Sequence, residues 1–117
     1  MTGRNAGGMS SLEYHVLLAM ADGPLYGYAL KEAVETESAG TLTPRAGSLY
    51  RVLARLMTWG LVAETEPAEA TSPHPGRERK YYGLTAEGRR GLAAEASRQR
   101  GAAALAEQRL GTPEGRP

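Results

Sequence analysis

The segment between Pro44 and Gly60 constrains the fold most, because its apolar residues follow the period of one short, half-buried helix. Pro44 suits a first helical turn, where no N–H donor is needed, Thr43 can act as the N-cap, and Gly60 can end the helix. The buried stripe recurs at helical spacing and comprises Leu49, Val52, Leu53 and Leu56. A helix with one such stripe must bury it against other elements of a small domain.

The opposite side of this helix predicts a surface for a polyanion. At about 100° per residue, Gly47, Arg51 and Ala54 lie opposite the apolar stripe. The segment 44–60 contains three arginines and no acid, whereas 10–43 and 61–75 are acidic. Such charge segregation is typical of nucleic-acid-binding surfaces, although solvated helix faces also produce it. The predicted DNA-contacting residues here are Arg45, Gly47, Ser48, Tyr50, Arg51 and Arg55.

The rest of the chain predicts the element order of a winged helix-turn-helix domain. A capping box formed by Ser10 and Glu13 marks the first helix, and Gly40 ends the second. The further elements are helices over 12–21, 26–38 and 85–110 and strands over 61–66 and 77–84. The fold class is therefore mainly α with a small β-hairpin, a winged helix-turn-helix followed by a long C-terminal helix.

The second strand carries the densest run of cations, Arg77, Arg79 and Lys80. Residues 76–90 hold five bases against two acids, so this region is the second basic segment of the chain. We predict that the wing, the hairpin formed by the two strands, binds DNA through these three residues. The alternative is that cations alternating along an edge strand protect it against aggregation.

The last helix predicts self-association. It is rich in Ala, contains Gly88, Gly91 and Gly101, and is too long to be covered by a core of this size. We expect a homodimer, with the predicted contacts Leu12, Val16, Leu92, Ala96, Ala103, Leu105 and Leu110.

Composition excludes several other classes of protein. The 117 residues suffice for one domain, and the absence of Cys excludes a disulfide scaffold, a thiolate zinc site and a cysteine nucleophile. With two distant histidines and no phosphate-binding loop, we expect neither an enzyme nor a cofactor or metal. No apolar run reaches the length of a membrane span and no signal peptide is evident, so we expect a cytoplasmic protein.

Four stretches in this order and spacing resemble the PadR family of bacterial transcriptional regulators. They are Gly23 to Leu30 (GPLYGYAL), Gly47 to Tyr50 (GSLY) with Leu53, Arg55 and Leu56, Gly60 to Val62 (GLV) and Gly76 to Arg89 (GRERKYYGLTAEGR). The resemblance covers about residues 9–110. It implies a homodimeric winged-helix repressor of the compact branch, with one C-terminal dimerisation helix.

Two departures from the family pattern bear on function. Arg51 and Ala54 stand where relatives commonly have Pro and His, which adds a charge to the outward face of the third helix. No aromatic residue follows Tyr82, so the mode in which a Trp of the final helix sandwiches flat drugs is not expected.

The sequence thus predicts four segments: an N-terminal arm (1–9), a DNA-binding domain (10–84), a dimerisation helix (85–110) and a disordered tail (111–117). We expect a repressor that binds double-stranded DNA at an inverted-repeat operator, with release by a small-molecule effector as a further hypothesis. The alternative is a winged-helix protein-interaction module that does not bind DNA. Its working surfaces would be the acidic second helix and the last helix.

Overall fold

The computed structural model describes residues 8–66 and 80–111. The elements are α1 (Ser11–Ala19), β1 (Leu25–Tyr26), α2 (Gly27–Glu37), α3 (Ala46–Thr58), β2 (Val62–Thr65), β3 (Tyr81–Leu84) and α4 (Ala86–Leu110). The mainly helical winged-helix fold predicted from the sequence is confirmed. The predicted arm, apart from residues 8 and 9, the wing loop and residues 112–117 lie outside the described residues.

The two predicted helix starts at α1 and α3 have different outcomes. The capping box is present, because the Glu13 N–H donates to Ser10 Oγ at 3.1 Å and the Ser10 N–H donates to Glu13 Oε1 at 2.9 Å. The predicted cap at Thr43 is wrong. Arg45 is the N-cap of α3, with an extended backbone and no side-chain cap bond, and its carbonyl accepts the first helical bond from Leu49. Pro44 therefore lies before the helix, not in its first turn.

The β-sheet has three antiparallel strands in the order β1-β3-β2, where the sequence predicted two strands. The wing is the hairpin formed by β2 and β3. β1 pairs with β3 through Leu25 opposite Tyr82 and Tyr26 opposite Tyr81. Sequence reasoning missed β1 because two residues are too few to show an alternating pattern, and it assigned Tyr26 to the second helix. Of the predicted strand 77–84, residues 77–79 lie outside the described residues and Lys80 is not in a strand, so β3 begins at Tyr81.

The core forms where α1, α2 and α3 meet beneath the sheet. Its buried hydrophobic residues are Val16, Leu17, Met20, Leu30, Val34, Leu49, Val52, Leu53, Leu56, Leu61, Val62 and Tyr82. The predicted stripe of α3 is wholly buried, which confirms its inward orientation. Val16 is fully buried in the same core, so the prediction that it contacts a second copy is wrong.

α4 is anchored at its beginning and extends into solvent at its end. Thr85 caps the helix through Gly88 N–H at 2.9 Å and donates its hydroxyl to the Gly60 carbonyl at 2.6 Å. Gly8 and Met9 also pack, with Gly8 close to the Glu95 and Arg98 side chains, so packed residues begin before the predicted boundary at residue 10. From residue 97 to residue 110 every side chain is exposed.

No helix among the described residues is both long and apolar enough to cross a membrane.

Candidate nucleic-acid interface

The outward face of α3 combines exposure, positive charge and small side chains. Arg45, Gly47, Tyr50, Arg51 and Ala54 are exposed, while Ser48 is half-buried. The apolar face of the same helix is at most 5% exposed, so the helix is fixed with this side outward. α3 contains no Asp or Glu, so nothing on the helix opposes the approach of a phosphate backbone.

Arg45 and Arg51 are available for an external partner. Within residues 8–66 and 80–111, neither guanidinium takes part in an ion pair. Gly47 leaves open space between them: a Cβ built there would meet only Arg51 Nη1, at 4.0 Å. The surface is therefore flat and cationic at the start of α3, which is the part that enters the major groove in helix-turn-helix proteins.

Tyr50 connects this surface to the beginning of α2. Its hydroxyl lies directly against Gly27, where an added Cβ would overlap with the oxygen, and the side chain remains 48% exposed. The next residue, Tyr28, is 62% exposed in the first turn of α2. Tyr28 was not among the predicted DNA contacts, and its exposure was not predicted. The overlooked signal is the position of Tyr28 about 200° around the helix from the buried Leu30.

Arg55, which the sequence predicts to contact DNA, has partners within the protein. Its Nε donates to Glu13 Oε2 at 3.0 Å, and its Nη2 lies 2.9 Å from the same oxygen. The guanidinium carbon also lies 5.7 Å from the centre of the Trp59 ring. The structure thus assigns Arg55 a contact between α3 and α1 that the charge pattern alone does not reveal.

The wing is described only in part. Lys80 is exposed, and its Nζ lies 3.7 Å from Glu64 Oε2 on the neighbouring strand. Both side chains are more than half exposed, so this pair is weak and leaves Lys80 free to move to another anion. Arg77 and Arg79, the other predicted wing cations, lie outside the described residues.

Tyr82, in β3, is a buried residue close to Tyr50 of the candidate interface. The side chain is 6% exposed, and burial raises the pKa of its hydroxyl, with smaller contributions from nearby Tyr50 and Glu64. The ring therefore remains neutral at physiological pH. Tyr81, its neighbour, is half-buried and packs edge-on against Tyr26, with the ring centroids 5.8 Å apart.

The remaining residues predicted to form a dimer fall into two groups. Leu12, Leu92 and Ala96 are half-buried, and both leucines pack against the core. Ala103, Leu105 and Leu110 are exposed on the distal part of α4, with Leu110 at 85%. The first group can contribute only its remaining surface to a partner, whereas the second group is fully available.

Among the described residues, no three His, Asp or Glu side chains lie close enough together to hold a metal ion.

Sequence comparison identifies relatives over most of this domain. Residues 16–94 match the profile of the transcriptional regulator PadR-like family. An uncharacterised 37.1 kDa protein in transposon TN4556 of Streptomyces fradiae is 46% identical over 81 residues, which are 69% of this chain. The chain spans about a fifth of the length of that relative, 21%.

Solved structures share the fold. A PadR family transcription regulator from Clostridium difficile, 22% identical, superposes with a TM-score of 0.71 over 87% of this chain and 100% of its own. One from Eggerthella lenta is 27% identical, with a TM-score of 0.66 and coverage of 87% and 83%. Bacillus subtilis PadR, solved in complex with operator DNA, is 24% identical, with a TM-score of 0.58 over 73% and 46% of the two chains.

Proposed function

The chain belongs to the transcriptional regulator PadR-like family, and we propose that it acts as a homodimeric repressor at an inverted-repeat operator. The observation that carries the proposal is the exposed, acid-free face of α3, where Arg45 and Arg51 form no ion pair with any of the described residues. The complex of Bacillus subtilis PadR with operator DNA, a structure with the same fold, supports the choice of DNA as the partner.

In the proposed complex, α3 of each protomer enters the major groove. Arg51 reads a guanine, because its planar guanidinium can donate two parallel hydrogen bonds to guanine O6 and N7. Gly47 allows the helix backbone to approach closely, and Arg45, Ser48 and Tyr50 hold phosphates at the edge of the groove. The phosphate contacts give affinity for DNA of any sequence, whereas the contact of Arg51 with a base gives the preference for the operator sequence.

The wing binds the adjacent backbone. Lys80 leaves its weak pair with Glu64 and contacts a phosphate, together with Arg77 and Arg79. Because these contacts are ionic, they add to the salt dependence of binding and not to its sequence preference.

In the proposed dimer, the second copy binds to the distal part of α4, residues 97–110. Leu105 and Leu110 are large apolar side chains exposed on an otherwise unpacked helical segment, and pairing this segment with another copy removes them from water. Ala103 permits close approach of the helices, and Leu12, Leu92 and Ala96 contribute their exposed edges. A two-fold dimer then presents two α3 helices to half-sites about 34–36 Å apart, or a multiple of that distance.

The experiment is selection of bound duplexes from a randomised DNA pool by the purified protein. The proposal expects an enriched inverted repeat, with a guanine in each half-site and half-site centres a whole number of helical turns apart. Enrichment of a single, non-repeated motif would contradict the dimeric arrangement. Recovery of unenriched sequence even at low salt would contradict specific binding and favour the protein-interaction module.

A further inference from the structure

One carboxylate, that of Glu13, connects the beginning of α1 with the last turn of α3. Its Oε1 accepts the backbone N–H of Ser10 at 2.9 Å, and its Oε2 accepts Arg55 Nε at 3.0 Å. The Glu13 side chain is 9% exposed, whereas the Arg55 side chain is 44% exposed. The acidic partner is thus enclosed between the two helices, and the basic partner covers it from the solvent side.

The geometry of the pair resists substitution. Arg55 places two nitrogens on a single oxygen, with Nη2 at 2.9 Å. A lysine carries one ammonium and lacks the planar fork that makes both contacts. Removal of either partner leaves the other charge without its counter-ion. The loss of stability is larger when Arg55 is removed, because the carboxylate of Glu13 that is left unpaired is the more buried of the two charges.

Trp59 limits the freedom of Arg55 on the other side. The guanidinium carbon is 5.7 Å from the Trp59 ring centre, within the range of a cation–π contact. Trp59 follows the last residue of α3 and is half-buried against the core. The arginine is therefore held between a carboxylate of α1 and an aromatic ring at the end of its own helix.

The position of this pair gives it a consequence beyond stability. Among the described residues, α1 packs against α2, α3 and α4, so α3 and α4 both contact it. Under the proposed function, α4 sets the separation of the two protomers and α3 reads the groove. A tilt of α3 on α1 then moves Arg51 relative to its base.

We propose that Glu13 is a positioning residue for DNA recognition, which fixes the orientation of α3 through Arg55, and that Arg55 itself does not contact DNA. The inference rests on the proposed function and deepens it. It separates the two arginines of α3, one turn apart, into a reader, Arg51, and a tether, Arg55.

The test is a double-mutant cycle of Glu13→Gln and Arg55→Gln, carried out well below the unfolding temperature so that every variant is folded by circular dichroism. For each protein, the Kd for the selected operator and the Kd for scrambled DNA of equal length are measured. We expect each single variant to lower the ratio of the two affinities by about tenfold and the double variant to lower it no further. If Glu13→Gln does not fold, Glu13→Asp, which keeps the charge on a shorter side chain, takes its place in the cycle.

A purely structural role is tested with Ser10→Ala. This variant removes the capping bond to the Glu13 N–H but keeps the ion pair with Arg55. It is expected to lower the unfolding temperature and leave the operator preference unchanged. Trp59, the single tryptophan of the chain, supplies a second readout without DNA. Its emission is expected to change in Arg55→Gln, which removes the guanidinium from the ring, and in Glu13→Gln, which removes the carboxylate that holds the guanidinium there.

Three results would overturn the inference. If Glu13→Gln keeps the wild-type operator preference while Arg55→Gln weakens binding to both DNAs equally, Arg55 contacts a phosphate. If Ser10→Ala loses the preference as much as Glu13→Gln does, the effect is one of general stability. If the wild-type protein itself shows no operator preference, the proposed function fails and the inference fails with it, so the two failures are told apart by the wild-type measurement.

Discussion

The carbonyl oxygen of Leu61 lies against the Cα of Gly88, so that any side chain at residue 88 would overlap with backbone. The contact places the first turn of α4 directly on the α3–β2 junction, beside the Thr85 N–H bond to Leu61 O at 3.1 Å. The close approach determines where the long helix leaves the domain.

Gly88→Ala is therefore expected to destabilise the fold by about 1–3 kcal/mol, as overpacking does. Gly101→Ala, in the same helix, is the matched control: nothing lies within 4 Å of its added Cβ, and the change should stabilise by up to ~1 kcal/mol through helix propensity. Urea unfolding of both variants measures this. Equal shifts in the same direction would show that the Leu61 contact is not present.

Gly47→Ala is expected to lower DNA affinity without lowering the stability of the fold. A Cβ at residue 47 meets only Arg51 Nη1 at 4.0 Å, so the fold accommodates it and stability should not fall. If α3 lies close to DNA, the added methyl group obstructs the approach, and operator affinity should fall by about tenfold or more. Unfolding and DNA titration on the same sample test both halves. A stable variant with wild-type affinity would contradict the proposed docking of α3.

Replacing Leu105 and Leu110 by Ser should weaken the homodimer, because the two exposed leucines supply the large apolar groups of the distal helix. Ala104→Ser, about 100° around the helix from Leu105 and about 120° from Leu110, is the control and should leave association unchanged. Sedimentation equilibrium over a concentration range measures the dimer constant. An unchanged constant in the leucine variant would move the interface elsewhere.

The burial of the Tyr82 hydroxyl predicts how the stability of the fold changes at alkaline pH. Burial raises the pKa of its hydroxyl in the folded state, so the unfolded chain loses this proton first as pH rises. The contribution of Tyr82 is intact below the ordinary tyrosine pKa of about 10 and declines above it. Tyr82→Phe should therefore lose stability less steeply than the wild type above pH ~10, as measured by urea midpoints against pH. Parallel curves would show that the Tyr82 hydroxyl is not desolvated.

Periodicity in the sequence was enough to predict the architecture. The stripe from Leu49 to Leu56 and the Ser10–Glu13 capping box are local patterns, and both are present in the structure. β1 could not be found in this way, because Leu25 and Tyr26 become a strand only by pairing with β3. The cap at Thr43 failed because an extended Arg45 precedes α3, and sequence does not determine that backbone angle.

The site was predictable as a surface but not residue by residue. Arg51 and Arg55 are both basic residues on the exposed side of α3, and only the packing of α1 shows that Glu13 neutralises one of them. The sequence also predicted Val16 as a dimer contact, but core residues from other elements of the fold enclose it. In both cases the deciding partner is distant in sequence.

The most direct measurement is a fluorescence-anisotropy titration of the wild type, Arg51→Ala and Arg100→Ala against operator and scrambled DNA across a salt series. Arg100 is exposed on α4, so its loss makes the same change in charge away from α3. We expect Arg51→Ala to weaken operator binding by about 5–150-fold, from about 1–3 kcal/mol per bidentate contact. Scrambled DNA should change little, and Arg100→Ala should match the wild type on both. If Arg51→Ala and Arg100→Ala weaken both DNAs equally, Arg51 contributes only charge, and the assignment of α3 as the reading helix is contradicted.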